Sequence, residues 1–324
     1  MIWTFKKLFR NSVAPFTNFL ITIPFVQKMV DKVCREECKN ATRTPILLRI
    51  IAGMYARSSY RAALLENGRT MFVDASDLLG ARLLYGCPTP DMAELALIRK
   101  LLSPKDICID VGANIGLYTL AMADAVGPEG QVHSFEPSST TFEVFSKNIA
   151  ANTLSQVTAN CVALGETAGT SQLIVTAESG LTSFTDTGRG TVIGKSLVQI
   201  VSLDSYISTH NIGNVRLLKI DVEGFERNVL CGAGAFLKKE ESLAILIELE
   251  EKNLEAAGSS VEEVWNLLKE AGYCAWRIDR VRGRLIPSDI ADSSKAVNFL
   301  FARSSDQRVR SLADEGLFDV QSGS

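Results

Sequence analysis

From Asp91 onward the chain carries two rhythms of apolar positions, short unbroken runs and longer stretches with helical spacing. The unbroken runs predict strands covered on both faces, and the spaced stretches predict amphipathic helices. In order they give a helix from Asp91 to Leu101, a strand from Ile107 to Val111, a helix from Leu117 to Val126, a strand from Val132 to Phe135 and a helix from Ser138 to Ala151. A strand near Val157 to Ala163 follows, then a strand from Val215 to Asp221, a helix from about Gly224 to Leu237 and a strand from Leu243 to Glu248. A helix from Val261 to Ala271 and two strands, Tyr273 to Asp279 and Ala296 to Ala302, complete the pattern. Such alternation predicts an α/β, doubly wound, mostly parallel sheet with helices on both faces. The last two strands are joined by a polar loop with no helix, so they must run antiparallel.

Before Asp91 the pattern is different. A helix is expected from Pro45 to Ala63, a hairpin around GRTMFVDAS and a turn at Gly86-Cys87-Pro88, which makes residues 1–90 an accessory extension to a core of 91–303. The polar stretch 304–324 is expected to be loose. At the extreme N-terminus, Lys6, Lys7 and Arg10 precede the apolar run Val13 to Val26, the order found in a signal peptide. The run is too short to span a bilayer, Pro15 and Pro24 interrupt it, and no small-x-small cleavage site follows. A packed cap helix and a peripheral membrane contact through Trp3, Phe5, Phe9, Phe16 and Phe19 both fit better. The Asn40-Ala41-Thr42 sequon matters only if the segment is cleaved.

Composition removes several function classes. The 34 basic and 37 acidic residues leave a formal charge of -3, which exerts no global pull on nucleic acid or anionic membrane. The seven cysteines are scattered and odd in number, so they read as buried thiols in a reducing compartment, the cytoplasm. No Cys/His pair has metal-ligand spacing, and no metal is expected. His133 lies inside a strand as a core residue, and His210 falls toward the wrong end of the sheet for catalysis.

The candidate chemistry begins at DICIDVGANIGLYTL, residues 106–120. In a doubly wound sheet, ligands bind beyond the carboxyl ends of the strands, where this turn falls. Gly112 and Gly116 would allow close approach of a ligand, and the next helix offers a partly positive N-terminus to a carboxylate. Glu136, ending the second strand, is placed to accept ribose hydroxyls. A dinucleotide site requires a glycine where Asn114 stands, and Asp110 would repel a pyrophosphate. S-adenosylmethionine carries no phosphate, and its ammonium and sulfonium charges would favour Asp110 and Asp221.

A second acidic cluster lies in LLKIDVEGFERNV. Asp221, Glu223 and Glu226 are the candidate catalytic residues, since a hydroxyl attacking a methyl group must lose a proton to a base. Each has a plainer alternative, namely Asp221 pairing with the cofactor ammonium and Glu226 starting a helix. The stretch ESGLTSFTDTGRGTVIGK reads as a lid or as a solvated hairpin tip; Ser179, Thr182, Ser183 and Arg189 are its acceptor-binding candidates.

With these residues the chain resembles the FkbM-type methyltransferases. The resemblance rests on DICIDVGANIGLYTLAMA, VHSFEPSSTTFEVFSKNIAAN, VALGETAGTSQLIV, SLDSYI, LLKIDVEGFERNVLCGA, LAILIELE and VNFLFA. It implies a class I methyltransferase fold, a Rossmann-like sheet of seven strands with an antiparallel last strand. It also implies S-adenosyl-L-methionine as cofactor and methylation of a hydroxyl on a sugar, glycan or other small acceptor. The cofactor-binding candidates are then Asp110, Gly112, Asn114, Gly116, Glu136, Ala163 and Asp221. An NAD-dependent oxidoreductase and a non-catalytic binding protein at a membrane remain as alternatives.

Overall fold

The computed structural model describes residues 24–38, 45–55, 60–295 and 298–316. The chain divides into two compact units, Met1–Pro90 and Asp91–Ser324. In the first, helices α1 (Pro24–Cys38) and α2 (Ile46–Met54) precede a hairpin of β1 (Tyr60–Leu64) and β2 (Thr70–Asp74) and a helix α3 (Leu78–Tyr85). The helix expected as far as Ala63 therefore ends at Met54. Pairing of Ala63 with Met71, both buried, outweighs the helix propensity of the RAALLE stretch. Helix α3 was not expected; the Asp77 carboxylate caps it by accepting the Gly80 N–H at 3.2 Å.

The cysteine reading needs correction. Cys38 and Cys87 form a disulfide across 49 positions, and Cys161 and Cys274 are exposed. Scattered spacing could not reveal a partner that only the fold brings near. The segment 1–23 and the sequon at Asn40 lie outside the described residues. Among the described residues no helix is long and apolar enough to cross a membrane.

The second unit runs α4 (Met92–Leu101), β3 (Ile107–Val111), α5 (Leu117–Val126), β4 (Gln131–Phe135), α6 (Ser139–Ala151), β5 (Val157–Asn160), β6 (Ala163–Leu164), β7 (Gly169–Thr176), β8 (Val192–Val201), α7 (Leu203–His210) and β9 (Val215–Ile220). It continues with α8 (Glu226–Cys231), α9 (Gly234–Lys239), β10 (Ala244–Glu248), α10 (Glu251–Ala256), α11 (Val261–Glu270), β11 (Tyr273–Asp279), β12 (Arg284–Ser288), β13 (Asn298–Arg303) and α12 (Gln307–Glu315). The main sheet has eight strands in the order β12-β11-β13-β10-β9-β3-β4-β5. Strands β10, β9, β3, β4 and β5 are parallel, and β13 runs antiparallel to β10 and β11 as expected. The eighth strand is β12, paired antiparallel with β11 at the sheet edge. It lies in the segment expected to be a polar loop, and its Pro287 is tolerated because the strand is at the edge. A smaller sheet, β6-β8-β7, carries the polar stretch between β7 and β8.

Central strands explain why the apolar runs are unbroken. All six residues of β9 are buried, and Leu218, Ile245, Phe299 and Phe301 form the core between the helical layers. Complete burial of each such side chain is worth roughly 1.5 to 3 kcal/mol. The same burial forces β9 to pair its charges. Arg216 bonds Asp306 at 2.6 and 3.2 Å, and Lys219 lies 3.2 Å from Asp221. The stretch expected to be loose is thus anchored as far as Gly316, whose carbonyl accepts from Lys100 at 3.0 Å.

Candidate functional site

Four parallel strands share one register row, formed by Phe135 of β4, Val111 of β3, Ile220 of β9 and Ile247 of β10. One residue later, at the carboxyl edge, these strands present Glu136, Gly112, Asp221 and Glu248. The edge is therefore acidic by register.

Glu136 is built into the turn. Its Oε2 accepts the Asn114 N–H at 3.0 Å and its Oε1 the Ser138 N–H at 2.8 Å. Burial pushes its carboxyl up to about 7 against those two bonds. Each oxygen retains a second lone pair for a ligand hydroxyl. The N–H groups of Gly112 and Ala113 donate to the Phe135 carbonyl at 3.0 and 2.9 Å, and that of Gly116 to the Ala113 carbonyl at 2.8 Å. Four N–H groups of the turn are consequently engaged inside the protein and unavailable to a phosphate.

The glycines owe their place to packing. Gly112 has φ +81°, and a β-carbon there would collide with the Asp221 carbonyl. At Gly116, φ +98°, it would fall 2.8 Å from the Phe145 ring. Protein atoms occupy the space that the sequence reading reserved for a ligand. Asn114, with φ +50°, keeps a buried Oδ1 that has no hydrogen-bond partner, an acceptor open to a ligand donor.

Asp110 lies beneath the turn with no exposure. Thr119 donates to its Oδ2 at 2.6 Å, and Lys219 Nζ stands 3.7 Å from Oδ1. Burial raises its carboxyl above the ordinary range. Burial alone would lower Lys219, but the charges of Asp221 and Asp110 raise it. Asp110 thus faces Lys219 and is closed off from solvent.

Asp221 keeps about a third of its side chain exposed, at 34%. Glu248, which hydrogen-bonds Asp221, is pushed up to about 10, first by the Asp221 charge and then by burial. Burial followed by the Asp221 charge takes Glu223 up to about 7. Its Oε2 accepts from Arg189 at 2.7 Å and from Asn253 Nδ2 at 2.5 Å. Glu226 is buried, and its Oε1 accepts the N–H groups of Val222 and Gly224 at 3.1 and 3.2 Å. It shapes the turn that carries the other acids.

The polar stretch between β7 and β8 reaches this edge. Besides the Arg189–Glu223 bond, Phe184 packs on Phe225 with ring centroids 4.4 Å apart. A β-carbon at Gly180 would lie 3.5 Å from Asn114 Nδ2. Ser183 is buried and turned inward, donating to the Thr185 carbonyl. Ala163 is buried in β6 of the smaller sheet. His133 is a satisfied core residue, its Nδ1 3.0 Å from the Tyr206 hydroxyl.

Glu248 and Asn253 escaped the sequence reading. Glu248 ends an apolar run on the strand next to Asp221, and that position was the available signal. Asn253 sits on α10, a helix the sequence reading omitted.

A family model described as the Methyltransferase FkbM domain matches residues 110–274. Methyltransferase 1 of Beauveria bassiana (strain ARSEF 2860) is 30% identical over 144 residues, 38% of this chain and 57% of that protein. The 31-O-demethyl-FK506 methyltransferase FkbM of Streptomyces tacrolimicus is 29% identical over 164 residues, 40% of this chain and 60% of that protein. The chain spans less than two thirds of either relative. Among solved structures, methyltransferase FkbM from Methylobacillus flagellatus KT is similar at a TM-score of 0.39 and 14% identity, covering 63% of this chain and 47% of that one.

Proposed function

Because the chain belongs to the FkbM methyltransferase family, we propose that it transfers a methyl group from S-adenosyl-L-methionine to a hydroxyl of a small-molecule or glycan acceptor. One observation carries the choice of cofactor. The turn spends its N–H groups on Phe135, Ala113 and Glu136, so it offers a carboxylate where a dinucleotide fold would offer donors to a pyrophosphate. The bare Oδ1 of Asn114 suits a ligand with an amino or ammonium group. The Streptomyces relative, named as a 31-O-demethyl-FK506 methyltransferase, supports oxygen as the methylated atom.

Bound S-adenosylmethionine supplies a methyl group on a sulfonium and leaves as a neutral thioether. Glu136 accepts the ribose hydroxyls, with Asn114 and Ser138 holding its carboxylate in position. Asp221, at the carboxyl edge, would take the proton of an acceptor hydroxyl, a general-base role worth ~10²- to 10⁴-fold. Glu223 and Glu248 hold Asp221 in an acidic surround, while Arg189 and Phe184 tie the polar stretch to Glu223 and Phe225. Alignment of oxygen, carbon and sulfur contributes roughly 7 to 11 kcal/mol.

Calorimetric titration of the purified chain with S-adenosylmethionine, S-adenosylhomocysteine and NAD tests this reading. Binding of the first two without NAD is expected. Tight binding of NAD alone would assign an oxidoreductase, and binding of none would favour a non-catalytic protein.

A further inference from the structure

Strand β13 runs antiparallel to both β10 and β11, so β11 ends at the same carboxyl edge as β9 and β10. Arg280, which opens the turn after β11, and Asn298, which opens β13, meet there on one buried acid. Glu94 of α4 is 1% exposed, and its Oε1 accepts from Arg280 Nε at 2.8 Å and from Asn298 Nδ2 at 3.0 Å. Arg280 Nη2 lies 2.7 Å from the same oxygen. One side of the guanidinium is thereby fixed, while 39% of the side chain stays exposed and Nη1 has no hydrogen-bond partner among the described residues. Contacts lead from this corner to Asp221 by two routes. Asn298 pairs in register with Glu248, the hydrogen-bond partner of Asp221. On the other route the Tyr118 hydroxyl donates to Asp91, beside the start of α4, at 3.0 Å, and the Tyr118 ring centroid lies 4.4 Å from Lys219 Nζ, itself 3.2 Å from Asp221.

We propose that Arg280 is a specificity-determining residue for the acceptor, donating from Nη1 to an uncharged oxygen of a neutral, polyhydroxylated molecule whose reacting hydroxyl stands at Asp221. The proposal rests on the methyl transfer proposed above. Arginine presents its N–H groups in a rigid planar fork, and with Nε and Nη2 engaged on Glu94 the two N–H groups of Nη1 remain as donors. Binding an acceptor usually costs the rotamer freedom of a long side chain. Here Glu94 has already removed it, so the donor is preorganised.

The surrounding charge selects a neutral acceptor over an anionic one. Glu94 and Asp91 both act on Arg280 and offset its charge. Further along the edge, Asp221, Glu223 and Glu248 outnumber Lys219 and Arg189. A carboxylate or phosphate on the acceptor would meet like charge, whereas a hydroxyl or ring oxygen needs only the N–H donors. The sequence reading left Arg280 in a polar loop, because only the fold brings it to Glu94, 186 positions earlier.

The test titrates the full chain, by saturation-transfer NMR, with neutral methyl glycosides of glucose, mannose and rhamnose, with glucuronate and with glucosamine. At least one neutral glycoside should bind more tightly than the anionic and cationic probes. Arg280→Lys keeps a cation for Glu94 but loses the outward fork, so it should weaken that glycoside at least tenfold while circular dichroism stays unchanged. A residue that only neutralises Glu94 would be rescued by lysine. The double variant Glu94→Gln, Arg280→Ala leaves no buried charge unpaired and should show the same loss. No neutral glycoside bound up to ~1 mM, the upper end of ordinary KM values, would overturn the proposal. Binding indifferent to both variants, or tighter binding of glucuronate or glucosamine, would overturn it as well. Titration of the same samples with S-adenosylmethionine separates the two readings. Cofactor binding without glycoside binding sinks the Arg280 subsite alone, and Arg280-dependent glycoside binding without cofactor binding supports the subsite while sinking the cofactor assignment.

Discussion

Arg216 and Asp306, ninety positions apart, meet in a buried two-point ion pair at 2.6 and 3.2 Å. Asp306 also caps α12, its Oδ1 accepting the Val309 N–H at 3.1 Å. Asp306→Ala should leave the Arg216 guanidinium buried and unpaired, costing about 3 to 5 kcal/mol, with about 1 kcal/mol more for the lost cap. Chemical denaturation reads this directly. A loss under about 1 kcal/mol, the worth of an exposed pair, would mean that water reaches Arg216.

The pair also marks the limit of what the sequence could reveal. Bounds for Ile107–Val111 and Leu117–Val126 were readable because an apolar run and a glycine turn are local signals. Asp110, Glu136 and Asp221 were readable as strand ends for the same reason. Glu248 was not, since its meeting with Asp221 depends on Ile247 aligning with Ile220 across two strands. Nor was the anchoring of 304–316, because Arg216 sits in an apolar strand and its partner in a polar tail. The packing against Gly112 and Gly116 was not readable, as only the fold brings the Asp221 carbonyl and the Phe145 ring against them.

Stability should depend on pH through Glu226. Burial pushes its carboxyl up to about 7 from an ordinary 4.5. A raised carboxyl binds its proton more tightly in the folded state, so its contribution is complete below about pH 4.5 and lost as pH rises through about 7. The loss is up to ~3 kcal/mol for such a shift. Glu226→Gln keeps an acceptor for Val222 and Gly224, so its melting temperature should fall less between pH 5 and 8. An identical slope in the variant would assign the dependence elsewhere.

The Arg189–Glu223 pair has Arg189 at 41% exposure, so it contributes about 0 to 1 kcal/mol to stability. Arg189→Ala should leave the melting temperature nearly unchanged while speeding proteolysis between β7 and β8 and raising the acceptor KM. Unchanged proteolysis and KM would show that the stretch does not close on Glu223.

Asp221→Asn preserves shape and removes the charge at the edge. Turnover at saturating S-adenosylmethionine should fall 10²-fold or more, following the general-base magnitude. Weaker cofactor binding with turnover preserved at saturation would instead pair Asp221 with the cofactor ammonium.

The central claim is that Glu136, fixed by the Asn114 and Ser138 N–H groups, holds the ribose of S-adenosylmethionine. The most direct measurement is the calorimetric Kd of the wild-type chain and of Glu136→Ala. Loss of a charge-assisted double hydrogen bond, on the order of 1.5 to 3 kcal/mol, predicts an affinity about ten- to a hundredfold weaker. Equal affinity in a folded variant would contradict it.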